Sequence, residues 1–340
     1  MASLKDSPQY YHRVLQRIPP RATPSFSDEG MQERVWGRRW GARTDVGTLK
    51  MVLLHRPGDE IDVMVNGGHY DPEIEAIIDD DEQWYFRSDK APSLAKMQAE
   101  HDAFADLLRE NGVEVVYMDG GPRDPNSMFT RDMGMVVDGG LIISRMGPVG
   151  KPYGTGRRGE ELYLTRKVAE LGMPIYRTIA GEGLMEGGSF CLLDEKHAAI
   201  GMSFRGNTAG ADQVEEVLKL LGVELIRVPL PGFAMHLDGG IVMVDHGKAV
   251  VNVERLPYWF IDRLTELGIE MIFADYRDVG YAVNVLTIRP GVVIMDQRGT
   301  WTRESLEKRG VTVLPVCWEE CTKHGGGVHC SSLPLVRERD

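Results

Sequence analysis

The sequence feature that most constrains the fold is a unit of about 45–55 residues that occurs four times in phase. Each copy has two short apolar stretches separated by a polar turn, then a stretch with helical spacing, then a third apolar stretch. The copies cover residues 133–178, 190–229, 241–274 and 283–316. Repeats of this length are typical of propeller-like arrays, in which each unit buries its apolar face against its neighbours. The pattern therefore predicts an α/β fold of repeated modules instead of two unrelated domains.

A fifth copy can be assembled from two separated parts of the chain. Residues 50–54 and 113–118 have the character of strands, and residues 94–111 have helical spacing. The stretch after Cys330 supplies one more strand, which can pair with residues 50–54 and close a ring. We therefore predict a single five-module α/β propeller over residues 46–340, with a central active site.

Two segments lie outside the repeats. Residues 1–45 have three prolines within residues 19–24 and little periodicity, which predicts an irregular N-terminal extension. Residues 73–83 carry an acidic run, which is typical of a solvated loop and is otherwise expected to be part of a lid.

Composition excludes several classes of function. The chain has 51 Asp and Glu against 39 Lys and Arg, a net charge of −12, which opposes nucleic-acid binding and favours a cationic small molecule. No apolar run approaches the ~18 residues that a membrane helix needs, and residues 1–15 lack the apolar core of a secretory signal. Four cysteines in 340 residues do not form a disulfide framework. We expect a cytoplasmic enzyme that binds no membrane and no nucleic acid.

Five chemically active residues occupy equivalent positions of the modules. Asp132 opens the first hairpin, Glu186 precedes the second, His236 and Asp238 precede the third, and Cys330 opens the last strand. Equivalent positions of a ring converge on its axis, so we predict that these side chains share one pocket.

The predicted pocket suits nucleophilic chemistry on a planar cation. Cys330 is reactive only as a thiolate, which a base such as His236 can generate, and Glu186 can orient that base. Two more carboxylates exceed the needs of peptide hydrolysis, whereas they can hold both edges of a guanidinium group. We therefore predict attack of sulfur on a guanidinium carbon, protonation of the leaving amine by His236, and a covalent S-amidino intermediate.

Two other interpretations of these residues stay open: a zinc site, and a buried cysteine that is chemically inert. A zinc site is the strongest competitor, because five potential ligands lie close together in sequence: Cys317, Cys321, His324, His329 and Cys330. A Gly-Gly-Gly run interrupts that set, and a local zinc site would leave Asp132 and Glu186 without a role. A buried cysteine is usually inert, which is the expectation for Cys191. The Gly-rich piece 181–188 lacks the strand–turn–helix context of a dinucleotide site, so no cofactor or metal is expected.

Seven stretches of the chain resemble the guanidino-group-modifying enzymes, whose fold is the five-bladed pentein propeller. They are VGTLKMVLLHRPGDEI (46–61), MQAEHDAFADLLRENGVEVVYM (97–118), DPNSMFTRDMGMV (124–136), MEGGSF (185–190), GMSFRGN (201–207), MHLDGG (235–240) and GGGVHC (325–330). The family includes arginine deiminases, dimethylarginine hydrolases, agmatine deiminases and amidinotransferases. The motif PNSMFTRD and the helix at 97–111 are most similar to arginine deiminase.

The resemblance implies roles for individual residues. Cys330 corresponds to the nucleophile, His236 to the general acid/base and Glu186 to its acidic partner. The implied substrate contacts are Asp132 and Asp238 for the guanidinium edges, Phe129 for its plane, and Asn126, Arg205 and either Arg157 or Arg158 for a carboxylate. Of the last pair, Arg158 is the predicted contact.

The chain departs from the family pattern at two positions. Ser189 stands where the family usually has Asp, and Gly325 stands where arginine deiminases often have Arg. Both changes question whether plain L-arginine is the best substrate.

Several functions remain compatible with the sequence. The leading hypothesis is a hydrolase that converts a guanidino compound to a ureido compound and releases ammonia or an amine. The alternatives are an amidinotransferase, a dihydrolase that continues to ornithine, and a catalytically inactive binding module. A homo-oligomer is expected as the quaternary structure.

Overall fold

The computed structural model describes residues 3–80, 82–119, 124–147, 156–278 and 281–339, and it has a mixed α/β architecture. The strands are β1 (Leu49–Leu54), β2 (Gly68–Asp71), β3 (Ala76–Asp79), β4 (Tyr85–Phe86), β5 (Glu114–Tyr117), β6 (Gly134–Val137), β7 (Gly140–Ile143), β8 (Ile175–Thr178), β9 (Phe190–Leu192), β10 (His197–Met202), β11 (Glu224–Pro229), β12 (Ile241–Asp245), β13 (Lys248–Val251), β14 (Glu270–Phe273), β15 (Leu286–Arg289), β16 (Val292–Asp296), β17 (Thr312–Val316) and β18 (Leu333–Arg337). The α-helices are α1 (Tyr10–Arg17), α2 (Glu29–Trp36), α3 (Asp62–Val65), α4 (Leu94–Glu110), α5 (Glu160–Leu171), α6 (Thr208–Leu221), α7 (Tyr258–Glu266) and α8 (Thr300–Glu307).

Five of the sheets have the same three-stranded pattern. In each, the middle strand pairs antiparallel with one neighbour and parallel with the other, and an α-helix connects the two parallel strands. Four of these sheets are continuous in sequence: β6-β7-β8, β9-β10-β11, β12-β13-β14 and β15-β16-β17. Their strands and helices agree with the four repeats that the sequence predicts.

The fifth sheet joins an early part of the chain to a late one. Strand β18 pairs antiparallel with β1, with Leu53 opposite Leu333, and β1 pairs parallel with β5. Helix α4 connects β1 to β5, so this sheet has the same order of elements as the other four. The predicted pairing of the stretch after Cys330 with residues 50–54 is confirmed.

The modules are held together by their middle strands and helices. The middle strands β1, β7, β10, β13 and β16 are almost wholly buried, because a helix covers one face and neighbouring modules cover the other. Each helix contributes an apolar stripe, for example Phe104 and Leu108 of α4, both with no exposed surface. Burying such a side chain stabilises the fold by about 1.5–3 kcal/mol. Gly139 and Gly291 turn the hairpins in the left-handed region, with φ of 87° and 71°.

A sixth, small sheet replaces the solvated loop predicted at residues 73–83. Strands β2, β3 and β4 form an antiparallel sheet in which β3 is central and mostly buried. Ile77, Trp84 and Phe86 pack with Met64 in a separate apolar cluster. The prediction of a solvated loop was wrong because the burial of these apolar side chains outweighs the solvation of their acidic neighbours.

The N-terminal segment is more regular than its sequence suggests. It contains the short helices α1 and α2, and the Asp28 side chain caps α2 by accepting a hydrogen bond from the Met31 N–H at 2.9 Å. Trp40 and Ala42 pack in the main apolar core, and Gly41 bridges to Val336 of β18. The irregular extension was therefore incorrectly predicted in part, whereas the division at residue 45 stays a prediction. Among the described residues, no helix combines the length and the apolar character that crossing a membrane requires.

Short 3₁₀ turns carry the predicted site residues to one end of the modules. The turns Thr130–Met133, Gly187–Ser189 and Leu237–Gly239 directly precede or adjoin the first strands of three modules, and they contact each other in sequence order. Asp132 and Asp238 lie in such turns, and Glu186 and His236 are the residues that begin two of them. Cys330 lies three residues before β18.

Candidate active site

One cavity gathers most of the predicted site residues from four different modules. Its lining includes seven of the nine: Asn126, Phe129, Asp132, Glu186, Arg205, His236 and Cys330. Asp238 does not line the cavity, but its Oδ2 accepts a hydrogen bond from Sγ of Cys330, which does. Arg158 is half-buried, does not line the cavity, and donates from Nε to the Met146 carbonyl at 3.2 Å.

His236 and Glu186 form a close pair inside the cavity. Nε2 of His236 donates to Oε2 of Glu186 at 2.7 Å, and Nδ1 lies 3.5 Å from Oδ1 of Asp132. The other oxygen of Glu186 accepts hydrogen bonds from the Gly147 N–H at 2.8 Å and from Nη1 of Arg205 at 3.3 Å. Glu186 has no exposed surface. The pair is therefore rigid, with its imidazole facing the cavity.

The charges around His236 determine its protonation. Burial alone would lower the pKa of His236, but the carboxylates of Asp132 and Glu186 outweigh burial and raise the pKa to about 9. Burial would raise the pKa of Glu186, but the hydrogen bond from His236 and the charge of Arg205 hold that pKa below its usual value. At neutral pH the pair is thus an imidazolium and a carboxylate, and His236 is poised to give a proton.

The thiol of Cys330 faces a carboxylate. Its Sγ donates to Oδ2 of Asp238 at 3.4 Å, and the same oxygen accepts a hydrogen bond from Nδ1 of His329 at 2.9 Å. Burial raises the pKa of Cys330 well above its ordinary value, and the charges of Asp238 and Asp132 raise it further. Burial lowers the pKa of His329, so this imidazole is neutral and serves as a donor to Asp238. Without a bound ligand, the Cys330 side chain is therefore a protonated thiol.

Asp132 is held by a buried arginine. Arg157 makes salt bridges to Asp132 and to Glu160, and its Nη2 donates to the Phe129 carbonyl at 2.9 Å. All three charged side chains are almost completely inaccessible to water. Because these partners occupy the guanidinium of Arg157, it holds Asp132 in place and is not available to a substrate carboxylate. Oδ1 of Asp132 accepts no hydrogen bond from the described residues and is directed towards His236.

Other polar atoms at the cavity also have no partner in the described part of the chain. They are Oδ1 of Asn126, Nε of Arg205 and both ring nitrogens of His324. Buried polar groups are normally hydrogen-bonded, so such a cluster is typical of a site that binds a polar ligand. The Phe129 ring forms an apolar wall, and it lies so close to Gly326 that a Cβ there would be 2.4 Å from Cε1.

Among the described residues, one group at the candidate site has a geometry that could hold a metal ion. Within the described ranges, Asp132, Glu186 and His236 are the one group whose ligand atoms lie within 4.8 Å of one another. Arg157 and Arg205 already make salt bridges to these carboxylates, and their charges oppose a divalent cation. The residues of the zinc alternative do not converge: Cys317 donates to Glu100, Cys321 donates to the Met97 carbonyl, His324 packs on Phe86 and His329 bonds Asp238.

The two departures from the family pattern have different surroundings. Ser189 is completely buried, and its hydroxyl has no partner among the described residues. Gly325 has a φ of 100°, and a Cβ there would lie 2.1 Å from the hydroxyl oxygen of Tyr85. Tyr85 thus occupies the space that a larger side chain at position 325 would need.

Sequence reasoning missed several residues of the site. Tyr85 lies in β4 and Trp84 directly precedes it, in a small sheet that the acidic run of its sequence concealed. Asn284 accepts a hydrogen bond from the Cys330 N–H, although no local motif marks it. The charge pattern R-R-G-E-E at 157–161 was a usable signal, since Glu160 lies one helical turn after Arg157 and pairs with it.

Comparisons with known proteins agree with the family resemblance that the sequence motifs indicate. The model of a family described as "N,N dimethylarginine dimethylhydrolase, eukaryotic" matches residues 72–337. An arginine deiminase of Latilactobacillus sakei subsp. sakei (strain 23K) is 25% identical over 87% of this chain and 97% of its own. A DDAH from Pseudomonas aeruginosa, solved in complex with citrulline, is 23% identical, covers 85% of this chain and 100% of its own, and has a TM-score of 0.66. An amidinotransferase from Microseira wollei is 15% identical over 88% of this chain and 98% of its own, with a TM-score of 0.67. The last two likenesses concern the fold.

Proposed function

The chain belongs to the N,N dimethylarginine dimethylhydrolase family, within the superfamily of guanidino-group-modifying enzymes, and on this premise we propose that Cys330 hydrolyses an arginine-like guanidino compound. The products are a ureido compound and ammonia or an alkylamine. One observation carries the proposal: a thiol, an imidazolium–carboxylate pair and a second carboxylate share one cavity although they come from separate modules.

The guanidinium group lies between Asp132 and Asp238 in the proposed complex. Oδ1 of Asp132 is without a hydrogen bond in the described chain, so it can accept two N–H groups along one edge of the cation. The positive charge of the bound substrate offsets the two carboxylates that oppose the thiolate, which lowers the pKa of Cys330 on binding. The thiol proton passes to solvent as the cation binds, and the sulfur is then a nucleophile next to the central carbon.

Attack forms a bond between Sγ of Cys330 and the guanidinium carbon. His236, protonated at rest, gives a proton to the departing nitrogen as the C–N bond breaks, and the amine leaves. The covalent product is an S-amidino group on Cys330. His236 is now neutral and can accept a proton from water, whose oxygen attacks the same carbon. The C–S bond breaks, the electron pair returns to sulfur, and the ureido product is released.

The distal part of the substrate is proposed to bear a carboxylate. Arg205 and Asn126 both line the cavity, and Nε of Arg205 has no hydrogen-bond partner within the described ranges. Arg205 contributes a cation there that Arg157, being fully paired, does not. The Phe129 ring supplies the apolar wall for the plane of the guanidinium. We assign Arg158 no direct contact, because it lies outside the cavity lining and its described hydrogen bond goes to Met146, which is also outside, whereas Asp238 contacts Cys330 in the lining.

We propose in addition that the five modules close into a propeller around this cavity. Contacts between strands of neighbouring modules support closure: β9 with β12, β12 with β15, β15 with β1, and β18 with β6. The contact between the turns that precede β6 and β9 supports the remaining junction.

Mass spectrometry of small molecules tests the proposed function. The enzyme is incubated without an acceptor amine, in separate reactions with L-arginine, methylated arginines, agmatine and short guanidino acids. We expect a ureido product from at least one of them, and trapping with acid is expected to leave an amidino adduct on the Cys330 peptide. C330S should abolish both signals, whereas C317S removes a half-buried cysteine outside the cavity and should retain them.

The outcomes separate the reaction classes. Product that forms only after glycine, ornithine or lysine is added would replace the hydrolase with an amidinotransferase. Release of carbon dioxide together with ornithine would indicate a dihydrolase. A ureido product that persists in C330S would overturn the assignment of the nucleophile.

A further inference from the structure

Asn284 contacts the segment 327–330, which carries Cys330 and is called the nucleophile loop below, at three points. Its Oδ1 accepts a hydrogen bond from the Cys330 N–H at 3.1 Å, and its backbone carbonyl accepts one from the His329 N–H at 3.3 Å. Gly327 packs against its side chain so closely that a Cβ at Gly327 would lie 2.6 Å from Oδ1. Asn284 belongs to a different module from Cys330: it lies two residues before β15, and its own N–H donates to the Tyr281 carbonyl at 2.9 Å.

The amide nitrogen of Asn284 is a buried donor without an acceptor. The side chain is 2% exposed, and Nδ2 has no hydrogen-bond partner among the described residues. Because Oδ1 is fixed by the Cys330 N–H, the orientation of the amide is fixed as well. Leaving a buried N–H unpaired is unfavourable, so its retention beside a reactive group points to an acceptor that appears during the reaction.

We propose that Asn284 is a donor to the thiolate of Cys330, with Nδ2 directed to the sulfur when its negative charge forms. The inference rests on the proposed role of Cys330 as nucleophile. When the thiol loses its proton, sulfur changes from a weak donor into a charged acceptor, and the N–H of Asn284 can then bond to it. The same contact assists the last step, in which the C–S bond breaks and the electron pair returns to sulfur.

The surroundings of the thiol explain why such a donor is needed. Burial and the charges of Asp238 and Asp132 raise the pKa of Cys330, while hydrogen bonding from the Gly327 backbone and the Asn284 side chain lowers it. Among the other titratable groups nearby, Tyr85 and Tyr281 have raised pKa values and are neutral phenols.

His236 completes the set of charged groups at the cavity. It lines the same cavity and is cationic at neutral pH, but its Nε2 is occupied by Glu186. Asn284 is therefore the side-chain amide that joins the Gly327 backbone in stabilising the thiolate.

Thiol alkylation tests this without requiring any turnover. Iodoacetamide is added to the wild type, N284A and N284D over a range of pH, and the modified Cys330 peptide is quantified by mass spectrometry. We expect the alkylation midpoint of N284A to rise by about one pH unit, which is about tenfold less thiolate at a fixed lower pH. N284D keeps an acceptor for the Cys330 N–H but adds a negative charge, so its midpoint should rise further.

The sign of the shift distinguishes a donor from a purely structural residue. If Asn284 only held the loop, N284A would loosen it, relieve the burial of the thiol, and lower the alkylation midpoint. A lowered or unchanged midpoint in a folded N284A protein would overturn the proposal. N252A is the matched control, because Asn252 caps a 3₁₀ turn through the Glu254 N–H and is not in contact with the nucleophile loop among the described hydrogen bonds. Since alkylation reports only the thiol, failure to find a guanidino substrate would leave this result interpretable.

Discussion

The thiol of Cys330 lies 3.4 Å from Oδ2 of Asp238, so the proposed nucleophile donates its hydrogen bond to a carboxylate and not to an imidazole. A negative charge at this distance favours the thiol over the thiolate. A guanidinium cation that binds Asp238 would remove this opposition. The charge of the substrate and the reactivity of the nucleophile are therefore coupled through one side chain.

Replacing Asp238 with Asn should change thiol reactivity and substrate binding in opposite directions. D238N removes the charge that faces Cys330, so we expect faster alkylation by iodoacetamide at pH 7 in the absence of substrate. It also removes one of the two proposed guanidinium contacts, so kcat/KM should fall by about 10²-fold or more. D245N, at a half-buried hairpin position, is the control. Slower alkylation of folded D238N would contradict this electrostatic interpretation.

The proposed turnover should fall on the alkaline side as His236 loses its proton. Its pKa of about 9 in the folded chain lies above the ~6.5 of an unfolded one. The charged imidazole thus stabilises the fold fully below about pH 6.5, and this contribution is lost as the pH rises through 9. We expect kcat/KM to decline with a midpoint near pH 9, because this ratio reports the pKa of the free enzyme.

The variant E186Q gives the matching test of that assignment. It removes the carboxylate that accepts the hydrogen bond of Nε2, so the alkaline midpoint of kcat/KM should move to lower pH. Urea unfolding of E186Q should also depend less on pH between 7 and 9.5 than unfolding of the wild type. An unchanged midpoint would assign the alkaline decline to another group.

Arg157 should be a determinant of stability, and its neighbour Arg158 should not. R157A leaves the buried carboxylates of Asp132 and Glu160 without their common partner, which we expect to cost about 3–5 kcal/mol of unfolding free energy. Among the described residues, Arg158 makes one hydrogen bond, to the Met146 carbonyl, so R158A should cost less than about 1.5 kcal/mol. Urea titrations of the two variants, compared with the wild type, measure both values. Equal losses would show that the buried network is not specific to Arg157.

Replacing Gly325 with alanine should destabilise the fold more than the same replacement of Gly310, whose backbone conformation is similar. G310A tests the conformational cost alone, since Gly310 has a φ of 83° and open space around its Cβ position, and about 1–2 kcal/mol is expected. G325A adds the overlap with the Tyr85 hydroxyl, for which about 1–3 kcal/mol more is expected. The double variant Y85A/G325A should recover this excess. Urea unfolding of the wild type, Y85A, G325A and Y85A/G325A gives the coupling free energy, and additivity would exclude the overlap as the cause.

The repeated modules could be predicted because their signals are local. Hairpin turns, helical spacing and a following apolar stretch recur in phase, so four sheets were expected within a few residues of their observed bounds. The phase of Asp132, Glu186 and His236 relative to these repeats was sufficient to predict that they meet. The small sheet around Ile77 was missed because its stability comes from contacts with Met64 and Trp84 that an acidic composition conceals.

Contacts between modules were the part that sequence could not supply. Arg157 and Arg158 are adjacent and directly precede α5, so their side chains point in different directions. Which of them faces the cavity depends on how the chain enters that helix. The approach of Asn284 to Cys330 joins residues 46 positions apart, and no pattern in either segment refers to the other. The same is true of Tyr85 and Gly325, which meet only because the small sheet folds over the cavity.

The pairing of β18 with β1 has a consequence for biosynthesis. On the ribosome, β1 must wait until the other four modules have been translated before its antiparallel partner appears. Cys330 emerges just before that partner, so a nascent chain has neither Cys330 nor a completed fifth sheet until those modules have been made. A pairing of such long sequence separation is also slow to form, because the loop it closes is long. The fifth sheet is thus completed after the other four, and the candidate site gains Cys330 only at that stage.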